Sequence, residues 1–444
     1  MNKEHRHTFA RVILICLFIA ILCSGWTKAS AVESPDYNSV IVIPKKEFRR
    51  AENVMRQHGI YRFRKIKEKM YVIPLNENEK ESKISELKQS GLYELVEPDY
   101  FLSLNETPSE RNYLNIKINP NFNNSNSIQA INPIVREITP NDRDFFSQYY
   151  LREINADKAW SLTTGSENIK VGVLDTGIDR NHPDLAGKIA EDEVSEDDLT
   201  DEIGHGTEVA GIIAAKTNNN QGIAGISWNT KIVPIKVTDE TGQARVSTVV
   251  SALDAAHEKG VKIVQISLST NQLSQVLGDA VKTAQDRGII IVSTGGNTGI
   301  RELRYPAAFN GVVGVTSVDQ NKKIESYSTQ GEHISIAAPG SNIYTTTRNS
   351  SYASVTGTSF AAPQVAGTLA LIWALIPDFT SSQVKDILFK SAQDLGESGK
   401  DPTYGYGLLN SQKAVELALV QVAKPNELQA ESNSPGNKTW NVKF

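Results

Sequence analysis

Ile169-Lys-Val-Gly-Val-Leu174-Asp175-Thr176-Gly177 is an apolar run that ends on an acid and breaks at a glycine. Such a run reads as a buried strand that delivers its last residue, charged, to the end of a sheet. Runs of the same kind recur at Ile232–Val237, Ile263–Leu268, Ile289–Val292 and Val312–Val318. Helical segments such as Val249–Lys259 and Gln275–Arg287 lie between several of them. Buried strands alternating with helices predict an α/β fold, a mostly parallel sheet with helices on both faces. Functional groups in such a sheet gather beyond the carboxyl ends of the strands, where Asp175 falls.

Two further segments carry chemistry. Gly204-His205-Gly206-Thr207 opens a helical stretch through Ala215, and Gly357-Thr358-Ser359-Phe360-Ala361-Ala362-Pro363 opens another through Leu375. A serine hydroxyl needs an adjacent base to take its proton, and histidine has a pKa suited to that role. A buried carboxylate can hold the imidazole in the required tautomer and stabilise the imidazolium. A serine at a helix start also lies near unpaired backbone N–H groups and the positive end of the dipole. Pro363 is expected to be tolerated because a first helical turn has spare donors. Taken singly, each segment has a plainer reading: a strand-ending turn, a flexible turn, and a serine N-cap. Asp-Thr-Gly also occurs in aspartic peptidases, but those need two partnered carboxylates and no second Asp-Thr-Gly exists here.

The chain has 444 residues, 22% of them charged and 39% hydrophobic, with a net charge of -5. That is an ordinary globular composition and points to neither nucleic acid nor an anionic membrane. Lys3, Arg6 and Arg11 precede an apolar run from Val12 to Cys23, and Ala29-Ser30-Ala31 supplies a small-residue cleavage site. Residues 1–31 therefore read as a secretory signal, since a membrane anchor needs about 20 apolar residues. Both cysteines, Cys16 and Cys23, fall within it, so the mature chain is expected to have no disulfide and no thiolate site. From Val32 to Leu104 a β-α-β-α-β order predicts a small α+β domain: Val40–Ile43, Phe48 to Met55, Tyr71–Leu75, Glu79–Gln89 and Leu92–Val96. Residues 107–141 are rich in Asn, Pro and Ser and read as a linker or processing region, 142–418 as the main domain, and 419–444 as a polar tail. A monomer without a membrane anchor after signal cleavage is expected.

In this order the three motifs resemble the subtilase family of serine peptidases, over about Asp142 to Val415 and ending in Gly405-Tyr-Gly-Leu-Leu-Asn410. The resemblance implies a secreted, subtilisin-like serine endopeptidase with the triad Asp175, His205 and Ser359. It implies that Ser293-Thr-Gly-Gly-Asn297 is the oxyanion-hole loop, with Asn297 and the Ser359 N–H as donors. Residues 32–106 become an inhibitory, folding-assisting propeptide that is cleaved near Asn105 or Glu106. Asp184 matches a calcium ligand of the family, and Lys216–Gly222 resembles the loop that completes its site. Asn218, Asn220 and Gly222 are the expected partners, an oxygen-only set that suits Ca²⁺.

The resemblance also makes Ser267-Leu268-Ser269 and Thr294-Gly295-Gly296 the walls of the S1 pocket, which pair with the substrate as an added strand. Arg304, just before Tyr305-Pro306, is the candidate floor, and a basic floor favours Glu or Asp before the scissile bond. Glu302 turned inward would favour Arg or Lys instead. The layout of signal, proregion and single catalytic domain resembles that of subtilases that remove leader peptides from lantibiotic precursors. Broad-specificity subtilisins share it. An inactive, peptide-binding member of the family is the alternative of another class, and the presence of the whole triad with Asn297 counts against it.

Overall fold

The structure, a computed structural model, describes residues 37–45, 51–104, 135–190 and 199–423. The expected signal and tail and most of the linker lie outside these residues, as do Asn105 and Glu106. The described residues from Asn38 onward form one compact unit.

Its N-terminal module contains β1 (Ser39–Pro44), α1 (Ala51–Gln57), β2 (Arg64–Lys67), β3 (Met70–Pro74), α2 (Lys80–Gln89) and β4 (Tyr93–Pro98). The four strands form an antiparallel sheet in the order β2-β3-β1-β4. Beyond the expected order the structure adds β2. One set of its apolar residues, Ile41 and Val72 among them, joins a core shared with Val249, Leu253 and Val276 of the main domain. The module then continues as β5 (Phe101–Ser103).

The main domain begins earlier than Asp142: the Ile138 N–H bonds the Asp157 carbonyl at 2.9 Å and its side chain packs on the core. After α3 (Tyr149–Glu153) and α4 (Ala156–Ala159) come β6 (Lys170–Asp175), α5 (His205–Ala214), β7 (Lys231–Lys236), β8 (Gln243–Arg245) and α6 (Val246–Glu258). Next are β9 (Ile263–Ile266), α7 (Gln275–Asp286), β10 (Ile290–Thr294), β11 (Val313–Val318) and β12 (Ile334–Pro339). The described residues end with the β13 (Ile343–Thr347)–β14 (Ser351–Val355) hairpin, α8 (Thr358–Leu375), α9 (Ser381–Ser391) and α10 (Ser411–Ala423).

The central sheet is parallel throughout, in the order β12-β11-β10-β9-β6-β7. Alternation along β6 sends Val171 and Val173 into the core with α5 and α8, and Leu174 into the core with α6 and α7. The sheet is thus covered on both faces, as expected. The strand order reverses at β6, the first strand, so the crevice beyond its carboxyl end opens between outgoing crossovers. The apolar α8 is long enough to cross a membrane, but it is buried in this core.

Candidate active site

Asp175 ends β6 at that crevice and is fully buried. Its Oδ1 accepts the Thr176 N–H at 2.8 Å and His205 Nδ1 at 2.7 Å. A carboxylate on Nδ1 keeps the proton there and leaves Nε2 as the basic nitrogen. His205 starts α5, whose first turn is tied down by Asp201: its carboxylate accepts the N–H groups of Gly204 (2.7 Å) and Thr207 (2.9 Å). The Thr176 hydroxyl donates to the same carboxylate at 2.7 Å and accepts the Gly206 N–H at 2.8 Å, which links the Asp175 turn to the His205 helix. Gly206 is required by closeness: a Cβ there would lie 2.1 Å from the Gly177 carbonyl oxygen. Asp201 and Thr176 were not singled out in the sequence; an acid three residues before Gly204 is a helix-start signal that could have found the first.

Ser359 sits in the first turn of α8, and the ring of the next residue, Phe360, packs 5.4 Å from the His205 imidazole. The Ser359 hydroxyl donates to the Ser267 carbonyl at 3.4 Å. Pro363 departs from expectation. It lies past the first turn and removes a helical bond that the Ser359 carbonyl would have accepted. The Ser267 hydroxyl replaces that bond, donating to the Ser359 carbonyl at 2.9 Å.

Asn297 is half-buried, and its Oδ1 accepts both the N–H (3.0 Å) and the hydroxyl (2.6 Å) of Thr358. Thr358 in turn bonds the Thr294 hydroxyl. With its oxygen held, the Asn297 amide has Nδ2 left as its donor group. The Ser359 N–H beside it has no partner among the described residues. Two preorganised donors beside a serine are what stabilisation of an oxyanion needs.

Of the expected pocket walls, Leu268 sends its side chain into the α6–α7 core, so only its backbone faces the cleft. Gly295 is fixed from behind, its N–H on the Val315 carbonyl (2.7 Å) and its carbonyl 3.3 Å from His333 Nε2. Arg304 is buried and reaches both walls. Its Nε and Nη2 donate to Ser269 Oγ at 3.3 and 3.1 Å, and a Cβ at Gly296 (φ +105°) would lie 2.9 Å from its Cγ. Glu302 turns toward it, with Oε1 3.4 Å from Nη1.

Residues 166–407 match the subtilase family. The chain belongs to that family. Thermitase of Thermoactinomyces vulgaris is 37% identical over 282 residues, which make up 63% of this chain and 99% of thermitase. Subtilisin DY of Bacillus licheniformis is 37% identical over 60% of this chain and 98% of its own length. The minor extracellular protease Epr of Bacillus subtilis is also 37% identical, over 65% of this chain but only 45% of the relative. The subtilase is accordingly a serine endopeptidase of the subtilisin type.

In this subtilase the N-terminal module reaches the cleft. Ser103 and Ser269 exchange both backbone bonds, at 3.1 and 3.0 Å, in an antiparallel bridge. On the other side β5 pairs with β8, so the segment runs as a strand between two walls of the main domain. Two acids of the module meet helix starts. Glu97 bonds the Ser274 hydroxyl and the Gln275 N–H (2.9 Å) at the head of α7. Asp99 accepts the N–H (2.8 Å) and hydroxyl (2.7 Å) of Ser247 at the head of α6. Burial pushes the Glu97 carboxyl up, against the pull of these bonds.

The expected calcium set is only partly brought together. Asp184 is buried; its Oδ1 accepts Asn219 Nδ2 (2.8 Å) and its Oδ2 the Ile223 N–H (2.8 Å) and the Tyr352 hydroxyl (2.9 Å). Asn218 and Asn220 take left-handed backbone (φ 60° and 62°) and bond Asn141 instead, and the Gly222 carbonyl is taken by the Asp144 N–H. The structure adds Asp142, buried, whose two oxygens accept the Asn218 and Asn219 N–H groups at 2.9 and 3.1 Å. Burial and then the nearby Asp184 charge, outweighing those bonds, push the Asp142 carboxyl up. Two buried carboxylates that face one loop from separate segments, with no Lys or Arg partner among the described residues, fit a hard cation held by oxygen. Asp142, Asp184 and Asn219 are the side chains that would hold it. No cluster of three His, Cys, Asp or Glu residues occurs among the described residues, so backbone and amide oxygens would complete the shell.

Proposed function

We propose that this subtilase cuts peptide bonds through an acyl-enzyme on Ser359. His205 takes the hydroxyl proton as Oγ attacks the carbonyl carbon, while Asp175 keeps Nδ1 protonated and stabilises the imidazolium. Asn297 Nδ2 and the Ser359 N–H receive the oxyanion. Collapse breaks the C–N bond, and His205 passes its proton to the leaving amine. A water deprotonated by His205 then releases the acyl group and restores Ser359. The buried Asp175–His205 bond of 2.7 Å, next to the helix that carries Ser359, is the observation that carries this reading.

The N-terminal block, residues 32–106, acts as an inhibitory propeptide cleaved by the enzyme itself. The two-way Ser103–Ser269 pairing supports this, because an added strand is how such a cleft binds a peptide backbone. Secretion is supported by the signal-like residues 1–31 and by a relative described as an extracellular protease. A calcium ion at Asp142, Asp184 and Asn219 would clamp the 216–222 loop onto the body of the domain. The working form is a monomer acting on a peptide or precursor peptide.

For the natural substrate, processing of a leader peptide from a lantibiotic-type precursor is the selective reading, supported by a charged residue, Arg304, buried against both pocket walls. A broad-specificity extracellular protease is the second reading, favoured by relatives named alkaline protease. Intact-mass and N-terminal analysis of secreted wild type beside Ser359→Ala tests the core of the proposal. Wild type should lose its N-terminal block while the variant keeps it. Equal processing of both would remove self-maturation.

A further inference from the structure

The mechanism leaves open which bond is cut, and the Arg304 pocket speaks to that. A guanidinium has five N–H donors. Three are engaged in this pocket: Nε and Nη2 on Ser269 Oγ, and Nη1 on Glu302 Oε1. One N–H on each of Nη1 and Nη2 has no partner among the described residues, although the side chain is only 9% exposed. Donors buried without an acceptor are costly, so an acceptor brought in by a ligand is favoured. Glu302, 24% exposed at its side chain, supplies the complementary acceptor and cancels the charge of Arg304. The pocket thus offers donors and an acceptor with no net charge.

We propose that this pocket selects a carboxamide side chain, asparagine first, at the residue before the scissile bond (P1). Its amide oxygen accepts from Arg304 and its NH₂ donates to Glu302. An aspartate at P1 meets the like charge of Glu302, arginine or lysine meets Arg304, and leucine leaves the buried donors unmade. The proposal rests on the serine-peptidase reading and names its substrate class. It replaces the sequence-based expectation of an acidic preference, because that expectation counted Arg304 without its partner.

The chain's own sequence points the same way. A peptide strand in the register of Ser103, antiparallel to Ser269, brings its second following residue to Ser267, whose carbonyl accepts from Ser359 Oγ. In this sequence the second residue after Ser103 is Asn105, followed by Glu106.

The test compares kcat/KM of the self-processed enzyme on peptides that differ only at P1, carrying Asn, Asp, Leu or Arg. Enzyme concentration comes from fluorophosphonate titration of Ser359. Wild type is expected to favour Asn over Asp by about 10-fold and over Leu by about 10–100-fold, since a site built to hydrogen-bond rejects analogues lacking the group. Arg304→Leu should lower the Asn-to-Leu ratio by at least about 10-fold, and Glu302→Gln should raise the Asp-to-Asn ratio by about 10-fold. The released N-terminal module should end at Asn105. If Arg304→Leu yields no titratable serine, Arg304→Lys and Glu302→Gln decide. Titratable wild type that cuts best after Leu, or variants that keep the wild-type P1 order, would overturn the pocket alone. Wild type with neither titratable Ser359 nor cleavage of any peptide would overturn the peptidase reading itself.

Discussion

In the proposed mechanism Asn297 donates to the oxyanion while Thr358 holds its oxygen, so the two residues should fail differently when changed. Asn297→Ala is expected to cut kcat by about 10²–10³-fold with little change in KM, the cost of one oxyanion donor. Thr358→Val keeps the backbone bond but loses the hydroxyl, and should cost about 5-fold, again in kcat, since one hydrogen bond is worth about 1 kcal/mol. Steady-state kinetics on one peptide separates them; equal loss would mean Thr358 acts on more than the amide. Ser267→Ala removes the hydroxyl that satisfies the Ser359 carbonyl above Pro363, and should lower unfolding free energy by about 1–3 kcal/mol in a denaturant titration. The candidate triad could be read from the order of three short motifs, each with a glycine close by that marks a break in its element, whereas Asn297 came only with the family resemblance. Thr358 was not legible, since a Thr beside a serine carries no role until its partner is in place; Asp201 offered only its place three residues before a helix start, which says nothing of Thr176.

Helix heads decide how the N-terminal module docks. Glu97 and Asp99 accept from the free first-turn donors of α7 and α6, where a carboxylate also faces the positive end of each dipole. Replacing such a cap typically costs about 1 kcal/mol. In the uncleaved Ser359→Ala protein, Glu97→Gln with Asp99→Asn should therefore speed removal of the module by an added protease by about 10–30-fold; an unchanged rate would place the docking energy in the apolar Ile41–Val72 face instead. The sequence showed the parallel strands of the main domain because they are continuous apolar runs. It hid β2, Arg64–Lys67, whose Arg-Lys-Ile-Lys lies at a sheet edge with neither alternation nor apolar run. It also hid β12, where Ala and Ser dilute the hydrophobic signal although every residue is buried.

At the scale of the molecule, two features tie stability to solution conditions. Asp142 and Asp184 converge from segments far apart in the chain onto one loop, so an ion between them would bind the fold and not the unfolded chain. Stabilisation then follows ligand mass action, about 2.7 kcal/mol when calcium is at 100 times its Kd. Chelation should lower the Tm of wild type and leave that of Asp184→Asn nearly unmoved; a wild type indifferent to chelation would mean the Asn219, Ile223 and Tyr352 bonds suffice alone. His333 sets a pH limit. Burial depresses its pKa below the ordinary 6.5 despite the Gly295 contact, so the unfolded chain takes up a proton that the fold refuses. Stability should fall as pH drops from 6.5 toward the depressed folded value. A Tm-against-pH series on wild type and His333→Gln checks this, with the variant expected to show the shallower fall.

What the sequence by itself determined is the class of fold and of chemistry: which runs are strands, which serine, histidine and aspartate stand as the candidate triad, and that the chain belongs to the subtilases. Those facts live in periodicity and in short contiguous motifs. The tertiary structure alone decided the pairings: Asp201 on the head of α5, Ser267 beneath Ser359, Asn219 in place of Asn218 and Asn220, and Glu302 against Arg304. Apart from the first and the last, which are local, each joins segments whose separation is set by strand order and helix docking, which no local window contains. The Arg304–Glu302 pair is only two residues apart, yet its meaning depends on Ser269 and Gly296 closing around it. A side chain's type is local, but its charge balance is set by what surrounds it.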